Sequence, residues 1–160
     1  MQFVSSHRLR AVGDQKVAVA ARSKNPFSVL LLNIDHFSDV NNDHGHGFGD
    51  ELLTRINDLL TRTLEASDIV IRLDGQEFVV ICDDPPGSRA TALAERIRRA
   101  VSEVGFIGQR RHLGITCSVG IASFPEAGAK WADVFNASDE ALHAAKSLGG
   151  DRIALWQPRS

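Results

Sequence analysis

The chain has 160 residues, of which 43% are apolar and 24% charged, with 18 Lys and Arg against 20 Asp and Glu. This is the make-up of one globular domain that holds its core without disulfides or a structural metal, and it excludes a disordered tail. The near-balanced charge gives no pull toward nucleic acid. No apolar stretch approaches the ~18 residues of a membrane span, so no leader, anchor or membrane contact is expected.

Apolar spacing predicts a helix over Leu9 to Arg22, closed by the loop Ser23-Lys24-Asn25-Pro26. Val29 to Ile34 is a near-continuous apolar run, the mark of a strand buried on both faces. A polar, glycine-studded stretch runs from Asp35 to Asp50, with a loop expected over Asn41 to Asp50. Beyond it, Leu52, Leu53, Ile56, Leu59, Leu60 and Leu64 recur at helical spacing. Ile69-Val70-Ile71 and Phe78 to Ile81 flank Asp74-Gly75, a pair suited to a tight hairpin turn. Pro85-Pro86-Gly87-Ser88 punctuates the chain before a helix with Leu93, Ile97, Ala100, Val101 and Val104 inward, ending at Gly105. Leu113, Ile115, Cys117, Val119 and Ile121 alternate as a strand. A last helix runs from Trp131 to Leu148, with Ser138 the one polar residue in its apolar stripe, stops at Gly149-Gly150, and Arg152 to Trp156 reads as a short strand.

Cys82 and Cys117 sit in strand-like runs and read as buried thiols of a reducing compartment. The basic cluster Arg96, Arg98, Arg99, Arg110 and Arg111 has no interleaved aromatics and reads as a solvated face. The element order contains a βαββαβ unit. The expected class is α/β (α+β), a mixed central sheet with an antiparallel hairpin and flanking helices. With no repeat or linker, residues 1–160 read as a single domain, open to being part of a longer signalling protein.

Three polar clusters interrupt this pattern, and such exceptions are where function is expected. They are Asn33 to Phe37, Asn41 to Asp50, and Arg72 to Phe78. At these residues the sequence resembles the GGDEF family, the diguanylate cyclase domains that join two GTP molecules into cyclic di-GMP. The string NIDHFSDVNNDHGHGFGDELL, residues 33–53, follows the family pattern D-[ILV]-D-x-F-K-x-[ILV]-N-D-x-x-G-H-x-x-G-D-x-x-L. The signature R-x-G-G-[DE]-E-F stands here as RLDGQEF, residues 72–78. SVGIASFP at 118–125 and SDEALHAAKSLGGDRI at 138–153 resemble later family blocks, whereas the family's opening D-x-L-T-x-L-x-N-R is not recognisable. The resemblance implies a nucleotidyl cyclase palm-like fold in a bacterial, cytoplasmic protein.

The resemblance also shows which signature positions have changed. The family's two metal-binding carboxylates correspond to Asn33 and Gln76, and both are neutral amides. Magnesium is a hard cation held by carboxylates and phosphates, so Glu77 and the Ile34 carbonyl make a poor residual site. Asp74 replaces the glycine that lets the backbone approach phosphate, Gly75 stays, and Phe78 matches. Ser38 and Gly150 replace two basic phosphate contacts, leaving Lys146. The guanine-recognition positions, Asn41 and Asp50, match, and Phe37 is a further nucleotide-site position. In the product-inhibition motif R-x-x-D, Glu65 replaces the arginine and Asp68 remains, so that site is expected to be absent, with Arg62 one turn earlier as a partial substitute.

Plainer readings stand beside these. Asp74-Gly75 is a good turn on structure alone. Asn33 either satisfies local backbone or keeps a nucleotide contact, and Asp50 either caps the Leu52 helix or binds guanine. The spacing of His36, His44 and His46 near Asp43 fits no standard zinc site. Asp39-x-Asn41-x-Asp43 mimics a calcium loop but has His44 and Asp50 where glycine and glutamate belong. The resulting expectation is a degenerate, catalytically inactive GGDEF domain that requires no cofactor and is open to binding GTP with weak Mg²⁺. It would regulate or dock to cyclic di-GMP proteins (an EAL or HD-GYP phosphodiesterase, a PilZ-type effector) or to itself, the alternative being a weak cyclase.

Overall fold

The computed structural model describes residues 2–73, 76–84, 89–103 and 114–158, with the backbone alone at positions 2, 3, 44 and 46. The central strand β2, Phe27–Ile34, buries all eight of its side chains. Such a run needs cover on both faces, and strand alternation divides it between two cores. Leu30, Leu32 and Ile34 face α3 (His46–Thr63) and α4 (Arg89–Glu103), meeting Ile56, Leu60, Leu93 and Ile97. Val29 and Leu31 face α1 (Leu9–Ser23) and α5 (Trp131–Ser147), meeting Ala20, Trp131 and Val134.

The other strands are β1 (Gln2–Val4), β3 (Ile69–Arg72), β4 (Glu77–Asp83), β5 (Cys117–Phe124) and β6 (Ile153–Leu155). They form one six-stranded sheet in the order β1-β3-β4-β2-β5-β6. Strand β2 is antiparallel to both β4 and β5, β3 and β4 form the predicted hairpin, and the outer strands β1 and β6 run parallel to β3 and β5. This is the expected mixed sheet with its βαββαβ core. The register puts Asn33 opposite Glu77 on one side and Ser118 on the other.

Several expectations change. The polar stretch from Asp35 to Asp50, with its expected loop over Asn41 to Asp50, is mostly helical: α2 covers Phe37–His44, and α3 begins at His46 after Gly45, whose φ is +87°. Helix-poor Asn, Asp and Gly residues hid this, and tertiary packing overrides their weak propensity. Asp50 therefore does not cap the Leu52 helix. It lies inside α3, where its carbonyl accepts a bond from Thr54. Strand β5 begins at Cys117 and is buried on both faces rather than alternating, and Ile115 is buried ahead of it. Strand β1 is an addition. The Asp74-Gly75 turn, the Pro85 to Ser88 break, Val104, Gly105, Arg110, Arg111 and Leu113 lie outside the described residues, as do the His44 and His46 side chains.

Both thiols are free and buried as expected. Burial pushes Cys82 up to about 12, and burial, assisted by the nearby Asp35 charge, raises Cys117. At the N-terminal end of β2, Ser28 donates to Asp84 Oδ2 at 2.9 Å and pairs with Ser123 at 2.8 Å. Asp84 also accepts from the first backbone N–H groups of α4, at Arg89 (2.9 Å) and Ala90 (3.4 Å), where a carboxylate complements the helix N-terminus.

Candidate functional site

The C-terminal end of β2 gathers the first polar cluster. Asn33 is 3% exposed, and its Nδ2 donates to Glu77 Oε1 at 3.2 Å. The adjacent Ile34 N–H donates to the Gln76 carbonyl at 3.2 Å. The structure thus brings together Asn33, Gln76 and Glu77, with the last two half-buried. Phe78, next along, is fully buried and is a core residue.

Asp35, one residue beyond the strand and within the first polar cluster, is given no role by the sequence, yet it is the best-connected side chain here. It accepts from Thr116 Oγ1 at 2.8 Å, Ser118 Oγ at 2.7 Å and the Asp151 N–H at 2.9 Å. Three donors satisfy the carboxylate where it is buried. Gly150 packs against it, with φ +74° and room for a Cβ only 3.1 Å from the Asp35 carboxyl atoms. Asp151 in turn pairs with Arg98 at 2.8 Å, and Arg98 also holds Glu95. The bonds to Glu95 and Asp151 raise the Arg98 pKa, and the Arg98 bond lowers that of Glu95. Arg99 pairs with Glu95 as well, so much of the basic cluster is engaged within the protein, while Arg96 is exposed.

At the α2–α3 corner, Asn41 is half-buried and Phe37 is 7% exposed. A Cβ on Gly49 would overlap Asn41 Oδ1 and come within 3.2 Å of Phe37 Cζ, so a larger residue here would push the Asn41 side chain aside. Asn41 Oδ1 is buried with no hydrogen-bond partner. Asp50 follows Gly49 and is exposed, and Lys146 is exposed in the last turn of α5.

Glu65 and Asp68 form a separate cluster. Asp68 is fully buried, accepts the Glu65 N–H, and takes a two-pronged bond from Arg89 at 3.0 and 3.1 Å. Arg89 also reaches Glu65 at 3.2 Å, and its bond to Asp68 raises its pKa. The surviving acid of the R-x-x-D motif is thus neutralised from within the chain. Nothing in the spacing of residues 68 and 89 announces this pair. A groove of about 590 Å³ between α1 and α5, floored by Val17, Trp131 and Phe135, contains none of these residues.

Among the described residues, no three His, Cys, Asp or Glu side chains are placed to hold an ion. A divalent cation needs anionic oxygens, and Asn33 offers an N–H already directed at Glu77, so the residues present do not fit the family's metal pair.

The family model described as "Diguanylate cyclase, GGDEF domain" matches residues 8–152. The chain is 37% identical over 144 residues to diguanylate cyclase DgcP of Pseudomonas aeruginosa, covering 89% of this chain and 21% of that protein. Among solved structures it is similar to the active GGEEF domain of a Vibrio cholerae diguanylate cyclase, with a TM-score of 0.91, 28% identity, and coverage of 99% of this chain and 100% of that one. The fold is shared with Pseudomonas aeruginosa diguanylate cyclase SiaD, solved with its activator SiaC, at a TM-score of 0.87 and 24% identity over 94% of this chain and 58% of that one. The fold and the polar strand end together define a cyclase-type α+β domain. The chain belongs to the diguanylate cyclase GGDEF-domain family. It spans about a fifth to a third of the length of the first curated relatives it matches. Among the described residues, no helix is long and apolar enough to cross a membrane.

Proposed function

We propose that this chain is a catalytically inactive GGDEF domain that acts as a regulatory or protein-interaction module in cyclic di-GMP signalling and keeps guanine contacts at Asn41 and Asp50. The observation that carries this is the Asn33–Glu77 hydrogen bond. Where the family resemblance calls for two metal-holding acids, there is a neutral amide bonded to the retained glutamate, with a second amide, Gln76, beside it. Phosphoryl transfer depends almost wholly on positioning and charge stabilisation, and each such group lost costs ~10²-fold or more. Ser38, Asp74 and Gly150 remove further phosphate contacts.

Partners fit the same reading: an EAL or HD-GYP phosphodiesterase, a PilZ-type effector, or a second copy. SiaD, which shares the fold, was solved with a protein activator. An Asp50→Ala variant separates two modes of action, since regulation through a bound nucleotide is abolished and regulation through docking alone is unchanged.

The test is incubation of the purified domain with GTP and Mg²⁺ or Mn²⁺, with chromatography for cyclic di-GMP. No product is expected. Product from the unaltered chain would make it a weakly active cyclase working through Glu77, which the name of its relative DgcP also supports. The triple variant Asn33→Asp, Asp74→Gly, Gln76→Asp is expected to regain activity that the parent lacks.

A further inference from the structure

We infer that the site takes a guanine nucleoside or monophosphate without a divalent ion, in preference to the magnesium complex of the triphosphate. This rests on the reading above that Asn41 and Asp50 still contact guanine. The two halves of the site differ in what they leave free. At the base end, Asn41 Oδ1 is buried beside Gly49 with no hydrogen-bond partner, and the Asp50 carboxylate is exposed to accept the N–H donors of a purine edge.

At the phosphate end little is left to hold a charged ligand. The Asn33 amide donates to Glu77 Oε1 and adds no anionic oxygen, so a divalent ion would find one carboxylate where it needs several. The Asp151 N–H, a potential anion donor in the glycine loop, is given to Asp35. Gly150 supplies no cation; its φ of +74° and the 3.1 Å between an added Cβ and the same carboxylate both disfavour a side chain there. Lys146 is left as the single cation of the family's phosphate set. Without an ion, each added phosphate charge near Glu77 is repelled, and one like-charge contact at ~4 Å with an effective dielectric near 20 outweighs a tenfold gain. A neutral nucleoside carries none of that cost.

The experiment is calorimetric titration of guanosine, GMP and GTP into the chain, each with and without Mg²⁺, repeated on Asp50→Ala. Guanosine and GMP are expected to bind at least about tenfold more tightly than GTP, Mg²⁺ to change any affinity by less than about threefold, and Asp50→Ala to abolish binding. Asp50 is exposed, so circular dichroism of that variant should match the parent. Magnesium–GTP binding more tightly than guanosine, binding that survives Asp50→Ala, or no heat from any of the three overturns the inference. None of these outcomes alters the proposal of inactivity, which falls only if cyclic di-GMP is formed.

Discussion

The two ends of β2 carry the same kinds of residue and serve different purposes. At the N-terminal end, Ser28, Ser123 and Asp84 form a closed circuit in which Asp84 receives a hydroxyl and two helix N–H groups. At the C-terminal end, Asp35 is closed in the same way by Thr116, Ser118 and Asp151. Two residues earlier, Asn33 makes one side-chain bond to a half-buried Glu77. A buried carboxylate with both oxygens hydrogen-bonded is scaffold. Chemistry needs spare capacity, and of the polar groups described at this end of the sheet Glu77 and the α2–α3 corner retain it.

The largest effects should come from opening either closed circuit. Asp35→Ala strands two hydroxyls and a backbone N–H, and Asp84→Ala strands the start of α4 and Ser28. Each should cost about 3 kcal/mol in denaturant unfolding. Near-equal losses would confirm that both ends are scaffold, whereas a much smaller loss for Asp35→Ala would return it to the functional side.

The thiols extend the comparison, since Cys82 faces Ser28 across β2 and Cys117 faces Ile34. Both folded thiols titrate above their unfolded value of about 8.5, so the stability they contribute is intact below that pH and lost as pH rises. The loss is about 1.4 kcal/mol per pH unit for each thiol, continuing for Cys82 toward about 12. Unfolding measured from pH 8 to 10.5 on Cys82→Ala and Cys117→Ala should show each variant removing one share of the slope.

Asn33→Asp would set a second carboxylate beside Glu77. Like charges raise the pKa of such a pair, so about 1 kcal/mol should be lost at neutral pH, recovered below about pH 4 as the pair protonates. Added Mg²⁺ should also restore melting temperature in this variant and not in the parent. The smallest expected change is Ser28→Ala, about 1 kcal/mol, because Asp84 keeps its helix donors and Ser123 can turn to solvent.

Strand β2, the hairpin, α1 and α5 were legible because apolar periodicity reports burial directly. The three-residue β1 was not, since it is too short to show alternation. The α2 helix and the start of α3 were hidden because Asn41, Asn42, Asp43 and Gly49 disfavour helix locally, while the helices are held by Phe37, Val40, Leu52 and Leu53 packing on the core. The candidate residues Asn33, Gln76 and Glu77 were visible through their family pattern, and the register sets Asn33 opposite Glu77 with the Gln76 carbonyl bonded next to them. The roles of Asp35, which lies inside the first polar cluster, and of Arg89 were not legible because they lie in partners 81 to 116 and 21 residues away, a separation that leaves no local trace.

The order of the sheet has a mechanical consequence. The strands nearest residues 2 and 155 are its two edges, and five steps of about 4.8 Å put them on the order of 24 Å apart. Tension applied between those residues peels the three-residue ladders of β1 and β6 before it loads the longer pairings of β2. The strand that carries Asn33 is thus the most sheltered from force, and the arrangement at its tip persists until the centre of the sheet itself gives way.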